Sequence, residues 1–451
     1  MHLPAVHGDV FYIDTAPDWI VRTADAAEIR GFAASDDDSM HLRQQNYTAR
    51  RLSSLPKGAI EVRSIPVVLE NARFAHGMVS LSGRYLLNGA SGLRARTKFE
   101  AANPDKAKRD DYLQMMRAFH REGTSELAVR SAAEANTLDI SIELKNGFNY
   151  YHFLTETLGA LAHYLDDETG CPIVIHLPDR PIKNFVRQFV DAIYPSLAHR
   201  VWFDVRPARF EAVRSVYSHQ HYLSSVGDAS VQELLGAEGM DPLWLSTAMN
   251  PRLVKKTGMQ SYDTSLRLLR QAALEQVDYA EVGPTPRLIW MGRDEGGKAR
   301  ARGLSGHEPL LQSLKARGFE PVIFERLSPL EQIATMNRAD IVIAPHGAGL
   351  ANMVFAKPGA RVIELGNRQT QVHRWGDFFK CAHVSGCRYD TVFADIDGLD
   401  DLSDTPPIGD GLRGIRLGKR ATDCILQIVD ETLATMDRPD AGPRRHAVRA
   451  A

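Results

Sequence analysis

The sequence predicts an α/β protein made of two consecutive Rossmann-like halves, each with a parallel sheet, facing a central cleft. Three observations predict it. Strand-length apolar runs alternate with helical stretches of about 10 to 15 residues. The alternation starts twice, near Thr137 and again near Thr264. A glycine-bearing turn follows directly on a late strand of the second run, at Gly347 and Gly349. At 451 residues the chain also exceeds one ordinary domain of roughly 100 to 200 residues.

The elements follow in order. From about residue 60 to 95, apolar positions alternate in MVSLSGRYLLNG around a Ser82-Gly83 turn, which predicts short antiparallel strands. The first parallel run, about 137–220, reads as strand LDISIEL, helix NYYHFLTETLGALAHYL, strand PIVIHL, helix RPIKNFVRQFVDAIY, and strands RVWFDV and AVRSVYS. The pattern breaks between Ser225 and Ser261 at Gly227, Gly236, Gly239 and Met249-Asn250-Pro251, which places the interdomain connection there. The N-terminal domain is therefore expected over 1–255 and the C-terminal one over 256–420. The second run reads as a helix from Thr264 to Val277, then strand RLIWM, helix HEPLLQSLKARG, strand EPVIF, helix SPLEQIATMNRA, strand DIVIA, helix GLANMVF and strand RVIEL. Ser328, Pro329 and Glu331 form a capping box with proline at the first helical position, which fixes one helix start. The helix TDCILQIVDETLATM, about 421–438, closes the fold, and 439–451 reads as a disordered tail.

Composition narrows the function. Lys+Arg number 54 against 56 Asp+Glu, with no clustered basic stretch beyond Arg444, Arg445 and Arg449, so no nucleic-acid partner is expected. No run reaches the roughly 18 apolar residues of a membrane span, and the N-terminus lacks a basic-then-apolar leader. The expected location is cytoplasmic, or peripheral at the inner membrane. Cys171, Cys381, Cys387 and Cys424 form no CxxC pair, which leaves free buried thiols as the reading. The acidic groups Asp36 to Asp38 and Asp395-Ile396-Asp397 fall in polar loops and read as solvated turns, so no metal ligand and no cofactor is expected.

The chemistry concentrates in Ala344-Pro345-His346-Gly347-Ala348-Gly349-Leu350-Ala351-Asn352, directly after a strand and opening a helix. A helix N-terminus at the carboxyl end of a parallel strand presents free N–H groups suited to phosphate, and glycine lets the backbone approach closely. A GxG turn also marks tight helix–strand packing, so spacing leaves both readings open. The third glycine of a dinucleotide fingerprint is replaced by Asn352, and no GK[ST] follows. Glu364 ends the next strand, where a carboxylate can accept from ribose hydroxyls or simply face water. Arg293 follows strand RLIWM in the same topological position, with Arg300 and Arg302 behind it. These cations suit a diphosphate or a solvated face. His152 and Glu156 stand four apart on one helix face.

The run from Arg293 through Arg302 and His307-Glu308, followed by GFEPVIFERLSPLEQIATMNRADIVIAPHGAGLANMVFAKPGARVIELG, resembles the C-terminal half of glycosyltransferase family 61. The segment from Asn149 to Glu156 is similar to that family's Asn-x-x-His motif with a following acidic residue, and the resemblance spans roughly Val67 to Asp395. The family's usual Asn-Glu stands here as His307-Glu308. The resemblance implies a GT-B fold and transfer of a sugar, with inversion, from a nucleotide-sugar donor to a hydroxyl of a glycan or lipid-linked saccharide. A UDP-linked donor, no metal, and a role in capsular or other surface polysaccharide synthesis belong to the same expectation. It implies donor contacts at Arg293, Arg302, His346, Gly347, Ala348, Gly349, Leu350 and Glu364, and substrate contact at Asn149. His152 is then the expected base with Glu156 as its supporter, or the reverse. An NAD-dependent oxidoreductase and a non-catalytic sugar-binding protein of the same fold are the alternatives.

Overall fold

The computed structural model describes residues 2, 7–55, 58–86, 88–89, 127–144, 149–220, 258–293, 303–399 and 405–436. Of the expected connection between Ser225 and Ser261 only 258–261 is among them, and the tail 439–451, Arg300 and Arg302 lie outside them.

The second half carries an eight-stranded sheet whose centre is five parallel strands: Leu288–Gly292, Glu320–Ile323, Ile341–Pro345, Arg361–Asn367 and Arg388–Ile396. In space they run second, first, third, fourth, fifth. Ile341, Val342 and Ile343 are fully buried, as a parallel strand covered on both faces requires. The Pro329–Arg338 helix starts at the expected capping box. The Ser328 hydroxyl accepts from the Glu331 N–H at 3.4 Å, and the Glu331 carboxylate accepts from the Ser328 N–H at 2.7 Å. The GLANMVF stretch winds as a 3₁₀ helix, Ala348–Phe355, rather than an α-helix. Several of its carbonyls are taken by side chains: Asn352 donates to Gly349, Arg270 to Val354 and Asn337 to Phe355.

The first half is less parallel than the sequence pattern predicts. Its nine-stranded sheet holds a run of three parallel neighbours, Val201–Asp204, Ile173–His176 and Ile140–Glu143, and at its other end a parallel pair, Val10–Ile13 with Ala128–Arg130. Beyond these, Ala208–Ser218 lies antiparallel along Ser64–Ala75 and touches the parallel set through one pair, Arg214 with Ile140. The antiparallel strands near 60–95 are therefore built into the same sheet. Ser82 and Gly83, both at positive φ, make the predicted reversal between Met78–Leu81 and Arg84–Tyr85.

The expected division at 255 is crossed several times. Ile29–Ala33 pairs with Arg388–Ile396 as a strand of the second sheet, and Ala59–Val62 pairs with Ser261–Asp263. Asp36 accepts from the N–H groups of Lys419 and Arg420, so it caps the Lys419–Met436 helix. The Thr264–Glu275 helix lies so close to the Leu158–Tyr164 turn that a Cβ on Gly159 would sit 2.2 Å from the Ser265 carbonyl. One apolar core runs from Ile140 through Phe153, Leu269 and Met353 to Phe393 and joins the helices between the sheets. The halves share this core, and the described residues leave beside it a narrow seam lined by Arg293 and His346 and a cavity of about 70 Å³ lined by Glu156.

Candidate active site

In a doubly wound sheet with this strand order, the first and third strands are neighbours whose connections leave in opposite directions. Ligands enter the crevice at their carboxyl ends. Here those ends deliver Arg293, after Leu288–Gly292, and His346-Gly347-Ala348-Gly349-Leu350, after Ile341–Pro345.

The Arg293 guanidinium lies over Gly347 and donates to the His346 carbonyl. Gly347 is extended, with φ 175°, so its conformation does not demand glycine. Its neighbour does: an added Cβ would stand 2.6 Å from Arg293 Nη2. Gly349 differs, since a Cβ there would meet only Met291 Sδ at 3.5 Å, an ordinary contact. Burial lowers the Arg293 pKa from its usual value, opposed by the charge of Glu325. Among the described residues the guanidinium makes that single hydrogen bond and no ion pair. The first amides of the Ala348–Phe355 helix, which by construction lack intrahelical acceptors, open beside it.

His346 is buried, and its Nδ1–H donates to Glu364, whose other oxygen accepts from the Tyr389 hydroxyl and, at 3.2 Å, from Thr391 Oγ1. Glu364 is only 2% exposed, so the structure places it beneath His346, inside the sheet, rather than at a wet rim. Burial raises the Tyr389 hydroxyl well above its usual pKa, as does the Glu364 charge, and it stays a donor. Bonding through Nδ1 aims the His346 Nε2 away from Glu364. Arg293, Pro345, His346, Thr370 and Arg413 line one narrow seam here.

The second cluster is carried by the Tyr150–Glu156 helix. Asn149 is its N-cap and accepts from the His152 N–H at 3.4 Å, which is a structural use of that side chain. The Tyr150 hydroxyl donates to Asn352 Oδ1 at 2.7 Å, and the Tyr151 hydroxyl to the Asp377 carbonyl at 2.5 Å. Burial raises both hydroxyls well above their usual pKa, so they serve as neutral anchors. Tyr150 pins this helix to the Ala348–Phe355 helix, and Tyr151 pins it to the turn at Asp377. Phe378 meets Tyr151 edge-on at 5.3 Å and His346 at 5.6 Å, linking the clusters. His152 Nδ1 lies 2.7 Å from Glu156 Oε1, and both side chains stay partly exposed. Glu156 also lines a cavity of about 70 Å³ with Thr155, Ser218, Asp263 and Lys380.

Of the expected residues, then, Arg293, His346 to Leu350 and Glu364 form one cluster, and Asn149, His152 and Glu156 a second, joined through aromatic and amide contacts. Sequence reading missed Tyr150, Tyr151, Asn352, Thr370, Phe378, Tyr389 and Arg413. Asn352 was visible as the residue in place of a third glycine, and its partner Tyr150 lies inside the Asn149–Glu156 motif. No periodicity marks Arg413. The Asp395 reading needs correcting: it stands in the Arg388–Ile396 strand, 3% exposed, and accepts from Ser35 Oγ at 2.5 Å, so it is a structural anchor, whereas Asp397, which accepts from Ser305 Oγ at 2.6 Å, is partly exposed and Asp36 to Asp38 are exposed. Among the described residues no group of three or more His, Cys, Asp or Glu is placed to hold a metal ion, and no helix is long and apolar enough to cross a membrane.

Residues 150–363 match the model of the family Glycosyltransferase 61. No curated protein matches the chain. The matched span begins on the Tyr150 helix and ends beside Glu364, so it takes in both clusters apart from Asn149 and Glu364. It supports a glycosyltransferase, and with that a sugar donor and an acceptor.

Proposed function

We propose that this chain, similar to glycosyltransferase family 61 over residues 150–363, transfers a sugar with inversion from a nucleotide-sugar donor to a hydroxyl of a glycan or lipid-linked saccharide. The observation that carries the reading is the half-buried Arg293 guanidinium. It stands at the switch point of a doubly wound sheet beside open helix amides, with no carboxylate bound to it among the described residues. A cation partly withdrawn from water with no carboxylate in direct contact, only the Glu325 charge further off, is costly, and a bound diphosphate supplies the charge.

In the proposed reaction the acceptor oxygen attacks the anomeric carbon while the bond from that carbon to the diphosphate breaks. The leaving charge falls on Arg293 and the amides of Ala348 and Gly349, which are already in place and need no metal ion. His152 takes the acceptor proton on Nε2, and Glu156, held at Nδ1, orients the ring and stabilises the imidazolium. His346, locked by Glu364, Tyr389 and Thr391, forms the floor of the donor site. A single displacement of this kind inverts the anomeric centre. The reading includes a GT-B arrangement with the donor on the second sheet, a UDP-linked donor, a cytoplasmic or inner-membrane location, and a place in surface polysaccharide synthesis. An NAD-dependent oxidoreductase fits less well, because both Glu364 oxygens already have internal partners, leaving that carboxylate occupied where a dinucleotide site would direct it to the ribose.

The test is a panel of nucleotide sugars incubated with the chain, with and without EDTA, following release of the nucleoside diphosphate. Release from one donor, undiminished by EDTA, is expected. Release that stops with EDTA and returns with manganese overturns the metal-free step, and NAD binding in place of UDP binding overturns the whole reading.

A further inference from the structure

The seam that holds Arg293 and His346 has a second wall from the segment around 411–414, far along the chain. Gln369, 0% exposed, holds this segment in place: its carbonyl oxygen accepts from the Arg413 N–H at 2.7 Å, and its amide donates to the carbonyls of Gly411 at 2.9 Å and Pro406 at 3.2 Å. The Asn367 amide, also fully buried, donates to the Gly414 carbonyl at 2.8 Å. Gly414 fits so tightly that a Cβ would lie 2.7 Å from the Gly303 carbonyl. Beyond it, Ile415–Arg416 joins the sheet beside Leu304–Ser305. The backbone around Arg413 is thus fixed on both sides while its side chain is exposed, and among the described residues its guanidinium has no partner.

We propose that Arg413 is a second diphosphate-binding residue, lining the same seam as Arg293 on a loop whose backbone is held by the buried amides of Asn367 and Gln369. The inference rests on the donor reading above and deepens it. Arg293 and Arg413 both line this one narrow seam, so a polyanion bound there meets a cation from each wall. A planar fork from each side matches a pyrophosphate, whose two phosphates offer bidentate acceptors to both. The amides of Asn367 and Gln369 fix the loop backbone, so only the Arg413 side chain is left for the ligand to order.

Calorimetric titration with UDP, GDP and dTDP, and with inorganic pyrophosphate, tests this on the intact chain and on Arg413→Ala, Arg413→Gln and Arg293→Ala. Arg413→Ala and Arg413→Gln are each expected to weaken the best-bound nucleoside diphosphate by about ten- to a hundredfold, the scale of one charge-assisted hydrogen bond. Pyrophosphate binding should weaken in parallel while Tm is unchanged. Wild-type affinity in both Arg413 variants, with loss in Arg293→Ala, overturns the role of Arg413 and leaves the donor site standing. Failure of the wild-type chain to bind any of the three nucleotides overturns both.

Discussion

At the scale of single residues, the two glycines of the HGAGL turn have different reasons to be glycine. Gly347 makes room for Arg293, so Gly347→Val displaces the guanidinium, the mobile end of a side chain, and should abolish UDP binding with Tm kept. Gly349 has no neighbour that forbids a Cβ, so Gly349→Ala is expected to leave stability alone and weaken nucleotide binding through the space above the helix amides. Equal UDP affinity in Gly349→Ala and wild type would show that phosphate does not approach there. For the base, His152→Ala should lower turnover by about a hundredfold to ten-thousandfold while nucleotide binding persists, and Glu156→Gln should lose less. Full turnover in His152→Ala with loss in Glu156→Gln would make the glutamate the base. The candidate site residues were picked out in the sequence because their types cluster in short motifs. Their supports were not, since Tyr389 and Thr391 come from a strand some 25 positions after Glu364 and only the folded sheet sets them beside it.

At the scale of elements, the site depends on one helix pinned to another. Tyr150→Phe removes the donor to Asn352 Oδ1 and leaves a buried acceptor without it, at a cost of about 1 to 3 kcal/mol. The same change should lower turnover, because the His152 helix then loses its tie to the Gly349 helix. Denaturant unfolding and kinetics on one preparation measure both, and an unchanged unfolding midpoint would contradict the pinning. Four of the five central parallel strands of the second sheet were readable, most plainly Ile341–Pro345 and Arg361–Asn367, which are apolar-rich, largely buried runs beside helical periodicity, while Arg388–Ile396 went unread. Ile29–Ala33 was not assigned to that sheet, since a lone short strand carries no sign of the partner it pairs with almost the whole chain away. The 3₁₀ winding of Ala348–Phe355 was hidden for a similar reason: the side chains that bind its carbonyls come from Arg270 and Asn337, on other helices.

At the scale of the whole molecule, a shared core and crossing strands make the halves one folding unit. Calorimetry should give a single unfolding transition, and residues 256–451 alone should fail to fold, since they lack the Ile29–Ala33 strand and the Asp36 cap. Two independent transitions would contradict this. The same molecule should be acid-sensitive. Burial pushes His163, His176, His219 and His383 down to about 4, and His219 sits neutral between the Tyr12 hydroxyl and the Arg63 carbonyl. An unfolded histidine takes its proton near 6.5. Their contribution is therefore complete above about 6.5 and is lost as pH falls from there through about 4, so Tm should decline across that interval, and a flat profile would contradict the buried neutral state. The central claim is that a diphosphate binds where the doubly wound sheet switches direction, and a crystal structure of the intact chain with bound UDP tests it most directly. The account predicts the pyrophosphate within hydrogen-bonding reach of the Arg293 guanidinium and the Gly349 N–H. UDP bound instead in the cavity beside Glu156, with the Arg293 seam empty, would contradict it.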